Sequence, residues 1–155
     1  MKKYTNKLML LILTTVILSA CSKSSNDVTT TAAASSPTST DLTAILTTGN
    51  WVVSSFVQRT EDKTSKFSNI TFNFSANGSL TATSNGTVTN GTWNYTPAVT
   101  YYGSASKAAI AINIGITNPL SLLTKTWNFI SNTSSVLKID SPELAEDEHV
   151  QFSKQ

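Results

Sequence analysis

The chain has 155 residues, 39% of them hydrophobic and 13% charged, with a formal net charge of +2. Lys2, Lys3 and Lys7 carry that positive balance: beyond residue 20, eight basic residues face nine acidic ones, a net of −1, and no basic stripe interleaved with aromatics suggests nucleic acid. The single cysteine, Cys21, excludes an internal disulfide and any multi-cysteine metal centre.

The three lysines are followed by an apolar run over residues 8–18 and by the small pair Ser19-Ala20, the order of a secretory leader. The run is too short for a membrane span, which takes about 20 apolar residues. Leu18-Ser19-Ala20-Cys21 resembles the lipobox of bacterial lipoprotein signal peptides, in which the cysteine takes a diacylglycerol and becomes the first residue after cleavage. The resemblance implies that residues 1–20 are a leader and that Cys21 is the lipidation site. It also implies a membrane as partner, and an outer-membrane lipoprotein, periplasmic or surface-facing, as the location. Acylation accounts for a lone exported cysteine and removes thiol chemistry from consideration.

Residues 21–40 are mostly Ser, Thr and Ala around Pro37 and contain no aromatic residue, which predicts a flexible, disordered tether with an end-to-end distance of roughly 25 Å. Asp41 then reads as the N-cap of a short helix over 42–46 that ends near Gly49.

Beyond the helix the apolar period becomes two. Strands are predicted over 51–60 and 68–75, the latter with Ile70, Phe72 and Phe74 on one face. Asn77-Gly78 and Asn85-Gly86 each suit a type I′ hairpin turn, so the strands over 80–84 and 87–95 should follow antiparallel. Val88 is out of phase with Trp93 and Tyr95, which places a β-bulge at Gly91. A loop over 97–106 precedes a strand with Ile110, Ile112, Ile114 and Ile116 on one face. Residues 120–123 make one turn, and strands over 127–131, 135–140 and 148–154 complete the chain, the last two joined by an acidic connection over 142–147. Eight strands joined mainly by hairpins predict an all-β fold, a single antiparallel up-and-down barrel preceded by a short helix, because closing the sheet removes its edges. The folded domain spans 41–155 and is expected to be a monomer.

Gly49-Asn50-Trp51 resembles the Gly-x-Trp that opens the first strand of lipocalins, and Gly91-Thr92-Trp93 resembles the Gly-Thr-Trp halfway along the lipocalin-like lipoproteins of Bacteroidota. With Phe72-Asn73-Phe74 and the closing apolar strand, the resemblance runs from about residue 46 to 152. It implies a small lipocalin-like barrel and an apolar or amphipathic ligand. The chain is short for a lipocalin and lacks the arginine that packs over the first-strand Trp in that family. Lys154, in phase with Val150 and Phe152, is the candidate substitute over Trp51.

The candidate ligand-binding residues are Trp51, Phe72, Trp93, Tyr95, Tyr101, Tyr102 and Trp127. Those on strands can line a pocket, but bulky inward aromatics equally fill a small barrel. Tyr101 and Tyr102 are adjacent in a loop, so both cannot enter the core by alternation, and exposed tyrosines suit amphipathic surfaces, proteins and sugars. Leu120, Leu122 and Leu123 read as a hydrophobic plug. Glu143, Glu146, Asp147, Glu148 and His149 form an acidic run without the glycine or spacing of a calcium loop, and read as a solvated surface. No complete catalytic constellation, metal site or cofactor motif is present, so no enzyme activity is expected. Two functions follow: a lipid-anchored envelope barrel holding a small apolar ligand, or a filled barrel whose loops contact a protein or glycan.

Overall fold

The computed structural model describes residues 37–155; the leader, Cys21 and residues 22–36 lie outside the described residues. Helix α1 spans Ser39–Leu46 and is capped by Thr38, whose hydroxyl accepts from the Asp41 amide at 3.2 Å and donates to the Asp41 carboxylate at 2.7 Å. Asp41 is therefore the third residue of the helix and not its cap, an arrangement akin to a capping box. Residues 38–40, assigned by composition to the tether, belong to the helix and its cap because Thr38 supplies the oxygen that the first free amides need.

Eleven strands follow: β1 (Trp51–Gln58), β2 (Glu61–Asp62), β3 (Ile70–Phe74), β4 (Ser79–Ser84), β5 (Thr87–Thr96), β6 (Thr100–Tyr101), β7 (Ser104–Ala105), β8 (Ala109–Asn113), β9 (Lys125–Asn132), β10 (Val136–Asp140) and β11 (Glu148–Lys154). Eight of them close a barrel in the order β1-β3-β4-β5-β8-β9-β10-β11, every pairing antiparallel and the seam made by β11 against β1. This is the predicted up-and-down barrel. The two-residue β2 merely folds back on the end of β1, and β6 and β7 form a separate hairpin.

Alternation sets the core. Phe72 and Phe74 of β3, Leu80 and Ala82 of β4, Trp93 and Tyr95 of β5, Ile110 and Ile112 of β8, and Val150 and Phe152 of β11 all point inward. In β1 the inward set is Trp51, Val53 and Phe56, and the break in spacing is absorbed by a register shift between Val53 and Ser55. A second shift, in β9 opposite Lys138 and Ile139, leaves Ile130 as the extra residue, so that Ile130 and Ser131 both face outward.

Three local expectations are corrected. No register shift occurs at Gly91: β5 pairs continuously with β4 and β8, and Val88 is out of phase because it faces solvent. Gly91 serves another purpose, since a Cβ there would lie 2.1 Å from the Asn113 carbonyl oxygen and 2.7 Å from the Ile114 Cα. The type I′ geometry occurs at Asn85-Gly86, with φ of 48° and 80°, but at the β3–β4 turn Gly78 alone has positive φ, because Asn77 turns its side chain to the Ser79 amide at 3.0 Å. The isoleucine strand ends at Asn113; Ile114 stays buried off the strand, and Ile116 is 92% exposed.

The strand directions give the barrel two mouths. At the entry mouth the chain arrives, α1 lies over the opening, and Leu42 and Leu46 are buried. At the far mouth, Phe67 from a 3₁₀ turn (Thr64–Phe67) and Leu120 and Leu123 around another (Leu120–Leu122) close the core, as the plug reading of residues 120–123 predicts. Gly91→Ala should lower stability by about 3 kcal/mol, the upper end of ordinary overpacking costs, because the new methyl meets backbone. Urea unfolding of the variant checks this, and a wild-type midpoint would show that β5 and β8 separate freely.

Candidate functional site

The aromatic set selected from sequence divides in two. Trp51, Phe72 and Trp127 are fully buried, and Trp93 and Tyr95 nearly so. Their rings touch across the barrel and not only along its wall. Phe56 of β1 meets Trp127 of β9 edge-on with centroids 6.3 Å apart, although three barrel steps separate the strands. Phe152 of β11 meets Phe72 at 5.5 Å and Phe74 at 6.0 Å. Trp93 packs edge-on to Phe74 at 5.5 Å, and Tyr95 to Phe129 at 5.4 Å. These residues meet as a packed core, and of the five interior candidates Trp93 and Tyr95 also border a depression of about 310 Å³ beside α1 and the 76–78 turn. Trp93 also borders an outer depression of about 380 Å³ over β5, β8 and the start of β9.

Each indole N–H is bonded to a backbone carbonyl of a closing segment: Trp51 to Leu46 at 2.9 Å, Trp127 to Leu123 at 2.9 Å, and Trp93 to Ser75 at 3.0 Å. The Tyr95 hydroxyl donates to the Pro37 carbonyl at 3.0 Å and so fixes where the chain enters.

Lys154 lies over Trp51 as sequence phase suggested, its Nζ 5.1 Å from the ring centroid and within 3.0 Å of the Thr48 hydroxyl. Its methylenes run beside Gly49, 3.6 Å from where a Cβ would stand. The far mouth repeats the device, which the sequence reading missed. Lys125 Nζ stands 5.2 Å from the Trp127 ring and donates to Glu148 at 2.6 Å and Glu146 at 2.7 Å. The signal was present, since Lys125 and Trp127 are two apart on one strand and share a face.

Glu148 corrects the reading of the acidic run as solvated. It is 3% exposed, and its second oxygen accepts from Gln58 at 2.8 Å, while Lys63 reaches Gln58 in turn. Burial alone pushes the Lys125 ammonium down, but the hydrogen bonds to Glu146 and Glu148 outweigh it and hold the pKa above the ordinary lysine value. The Lys125 hydrogen bond, then that of Ser141, holds the Glu146 carboxyl below its usual range.

His149 stands between two carboxylates, Nδ1 2.9 Å from Asp140 and Nε2 3.2 Å from Asp147. The Asp140 hydrogen bond raises its pKa, burial opposes it, and the charge of Asp140 and the contact with Asp147 add to the rise. No three His, Cys, Asp or Glu side chains among the described residues are grouped to hold a metal ion.

Tyr101 and Tyr102 occupy the loop predicted over 97–106, which folds as the β6–β7 hairpin. They are 72% and 91% exposed, with centroids 4.4 Å apart and planes at 77°. The structure separates them from the other five candidates.

No family model matches the chain, and no curated protein does. Among solved structures it is similar to a DUF4847 family protein from Bacteroides vulgatus, whose crystal structure it matches with a TM-score of 0.51 at 18% identity, over 74% of this chain and 99% of that one. The likeness is one of fold, a barrel shared with a protein of Bacteroidota.

Lys154→Ala should lower stability by about 1–2 kcal/mol and Lys154→Met by about half as much, since Met keeps the stem over Trp51 and loses the cation. Denaturation midpoints check this, and equal midpoints for all three proteins would remove the role. His149 has a folded pKa above its unfolded value, so its contribution is full below the unfolded pKa and is lost as pH rises through the folded one. His149→Ala should therefore cost more at about pH 5.5 than at about pH 8.5, in paired unfolding measurements.

Proposed function

We propose that this protein is a non-catalytic, lipid-anchored protein of the bacterial cell envelope whose solid barrel presents its rim loops as an interaction surface. Cys21 is the acylated residue in this reading, residues 22–36 link it to the domain, and the location is the outer membrane, facing the periplasm or the cell surface. The observation that carries the choice between carrier and scaffold is the set of ring contacts across the lumen, above all Phe56 against Trp127 at 6.3 Å. A drug-sized ligand occupies a pocket of about 300–1,000 Å³, and seating one here would displace at least one of these rings.

The barrel likeness to a Bacteroides protein supports a bacterial setting for the lipobox, and the leader order supports export. A small apolar ligand inside the barrel is the reading that the packing disfavours. Loop contacts with another surface are the reading it leaves.

Native mass spectrometry of the protein extracted from its own membranes should give the chain from Cys21 onward plus acyl groups on Cys21, and no further small molecule. A stoichiometric co-purifying ligand would restore the carrier reading. Cys21→Ser should move the protein from the membrane to the soluble fraction with an unchanged circular dichroism spectrum.

A further inference from the structure

The β6–β7 hairpin breaks a local rule. Its two-residue turn, Tyr102-Gly103, has φ of 46° and 81°, the same pattern as Asn85-Gly86 at 48° and 80°. Where the chain uses Asn at the first position of the β4–β5 turn, it uses a tyrosine here, although a bulky side chain is strained at positive φ. The turn holds Tyr102 out at 91% exposure with Tyr101 edge-on beside it, and Val99 at the base of the hairpin is 60% exposed. Nothing in the barrel packing requires this, and strain kept at an exposed site points to a use outside the domain.

Position supplies the partner. Strand direction alternates around the barrel, so the end of β5, where the hairpin begins, lies at the same mouth as the start of β1 and helix α1. The Tyr95–Pro37 hydrogen bond brings the incoming chain to that mouth as well. From Cys21 to Pro37 is 16 residues, a reach of at most about 55 Å. Charge is divided along the same axis. The far mouth carries Glu61, Asp62 and the five carboxylates from Asp140 to Glu148 against Arg59, Lys63, Lys66 and Lys125, a net of −3. The entry mouth carries Lys154 against Asp41, a net of zero, while Lys107, just after the hairpin, borders one surface depression with Asn128, Glu143 and Asp147.

We infer that the Tyr101–Tyr102 hairpin docks in the head-group region of a lipid bilayer and turns the entry mouth toward the membrane; the inference rests on the reading of Cys21 as acylated. Tyrosine suits that region because its ring prefers an apolar setting while its hydroxyl stays hydrated. Tethering raises the local concentration of bilayer surface, so a contact too weak to bind alone suffices to orient an anchored domain. The acidic far mouth faces away from anionic lipid.

The test is hydrogen exchange on the lipidated protein reconstituted in phosphatidylethanolamine–phosphatidylglycerol vesicles, compared with the same protein in detergent-free Cys21→Ser form. Residues 97–108 should exchange at least about fivefold more slowly on vesicles, with residues 141–147 unchanged. The protection should disappear in Tyr101→Ser/Tyr102→Asn, in which Asn accepts the turn conformation and the barrel is untouched. Equal exchange of 97–108 in both preparations, or equal protection of both segments, would overturn the docking. Should Cys21 of the membrane-extracted protein prove a free thiol, the anchoring reading fails separately. Coupling that thiol to a maleimide lipid then allows the same comparison to decide the docking.

Discussion

The structure depends on where three indole N–H groups find acceptors. A tryptophan in a dry interior brings much apolar area and one donor, and leaving that donor unpaired costs about 1–3 kcal/mol. In a closed barrel every wall carbonyl within the sheet is already engaged by a neighbouring strand. The free carbonyls are at segment ends, and that is where the indoles go: Trp51 to the end of α1, Trp127 to the end of the second 3₁₀ turn, Trp93 to the β3–β4 turn. An isolated helix of eight residues is not stable in water. Here its last turn is satisfied by Trp51, and in return its Leu42 and Leu46 seal the mouth above Trp51. Plug and wall therefore form together.

The two lysine–tryptophan pairs show how one device is balanced differently at each mouth. Lys154 directs its ammonium to neutral oxygens of the chain around α1, Ile45 and Thr48, and remains partly exposed. Lys125 instead meets carboxylates, one of them buried. A buried pair of this kind contributes little net stability, since desolvation offsets most of its attraction, but breaking one side leaves a charge without a partner. Its value is positional: Lys125, Glu148, Gln58 and Glu146 join β9, β11, β1 and the 141–147 loop, and Arg59 adds its amide to Asp147 and its guanidinium to Ala145. The acidic run is a clasp on the far mouth.

Much of this was legible in the sequence because period-two alternation and hairpin lengths are local facts. They gave the eight barrel strands, the closed antiparallel order and the inward aromatics. Lys154 over Trp51 was legible too, since phase alone put it with Val150 and Phe152. The errors arose where a local signal has two physical uses. Glycine in a strand marks either a bulge or a close approach, and only the position of Asn113 distinguishes them at Gly91. Asn-Gly serves a two-residue turn when both residues take positive φ, but at Asn77 the side chain caps an amide instead and the loop lengthens. Glu148 looked solvated within its acidic neighbourhood. Its burial depends on Lys125 and Gln58, 23 and 90 positions away. The aromatic candidates could not be sorted by type at all, because a core Trp and a pocket Trp alternate identically along a strand.

That sorting has a thermodynamic consequence for how the domain can work. When a barrel holds its ligand inside, binding residues and core residues are the same, and function and stability trade against each other. Here the rings that fill the lumen carry stability, while Tyr101 and Tyr102 belong to a hairpin that shares no strand pairing with the barrel. Changes at sites that are distant and share no partners are nearly additive. The rim is thus free to be altered without loosening the core. A filled barrel carrying a strained aromatic turn at its rim is what that division of labour produces, with the strain of Tyr102 borne by a scaffold whose own folding does not depend on it.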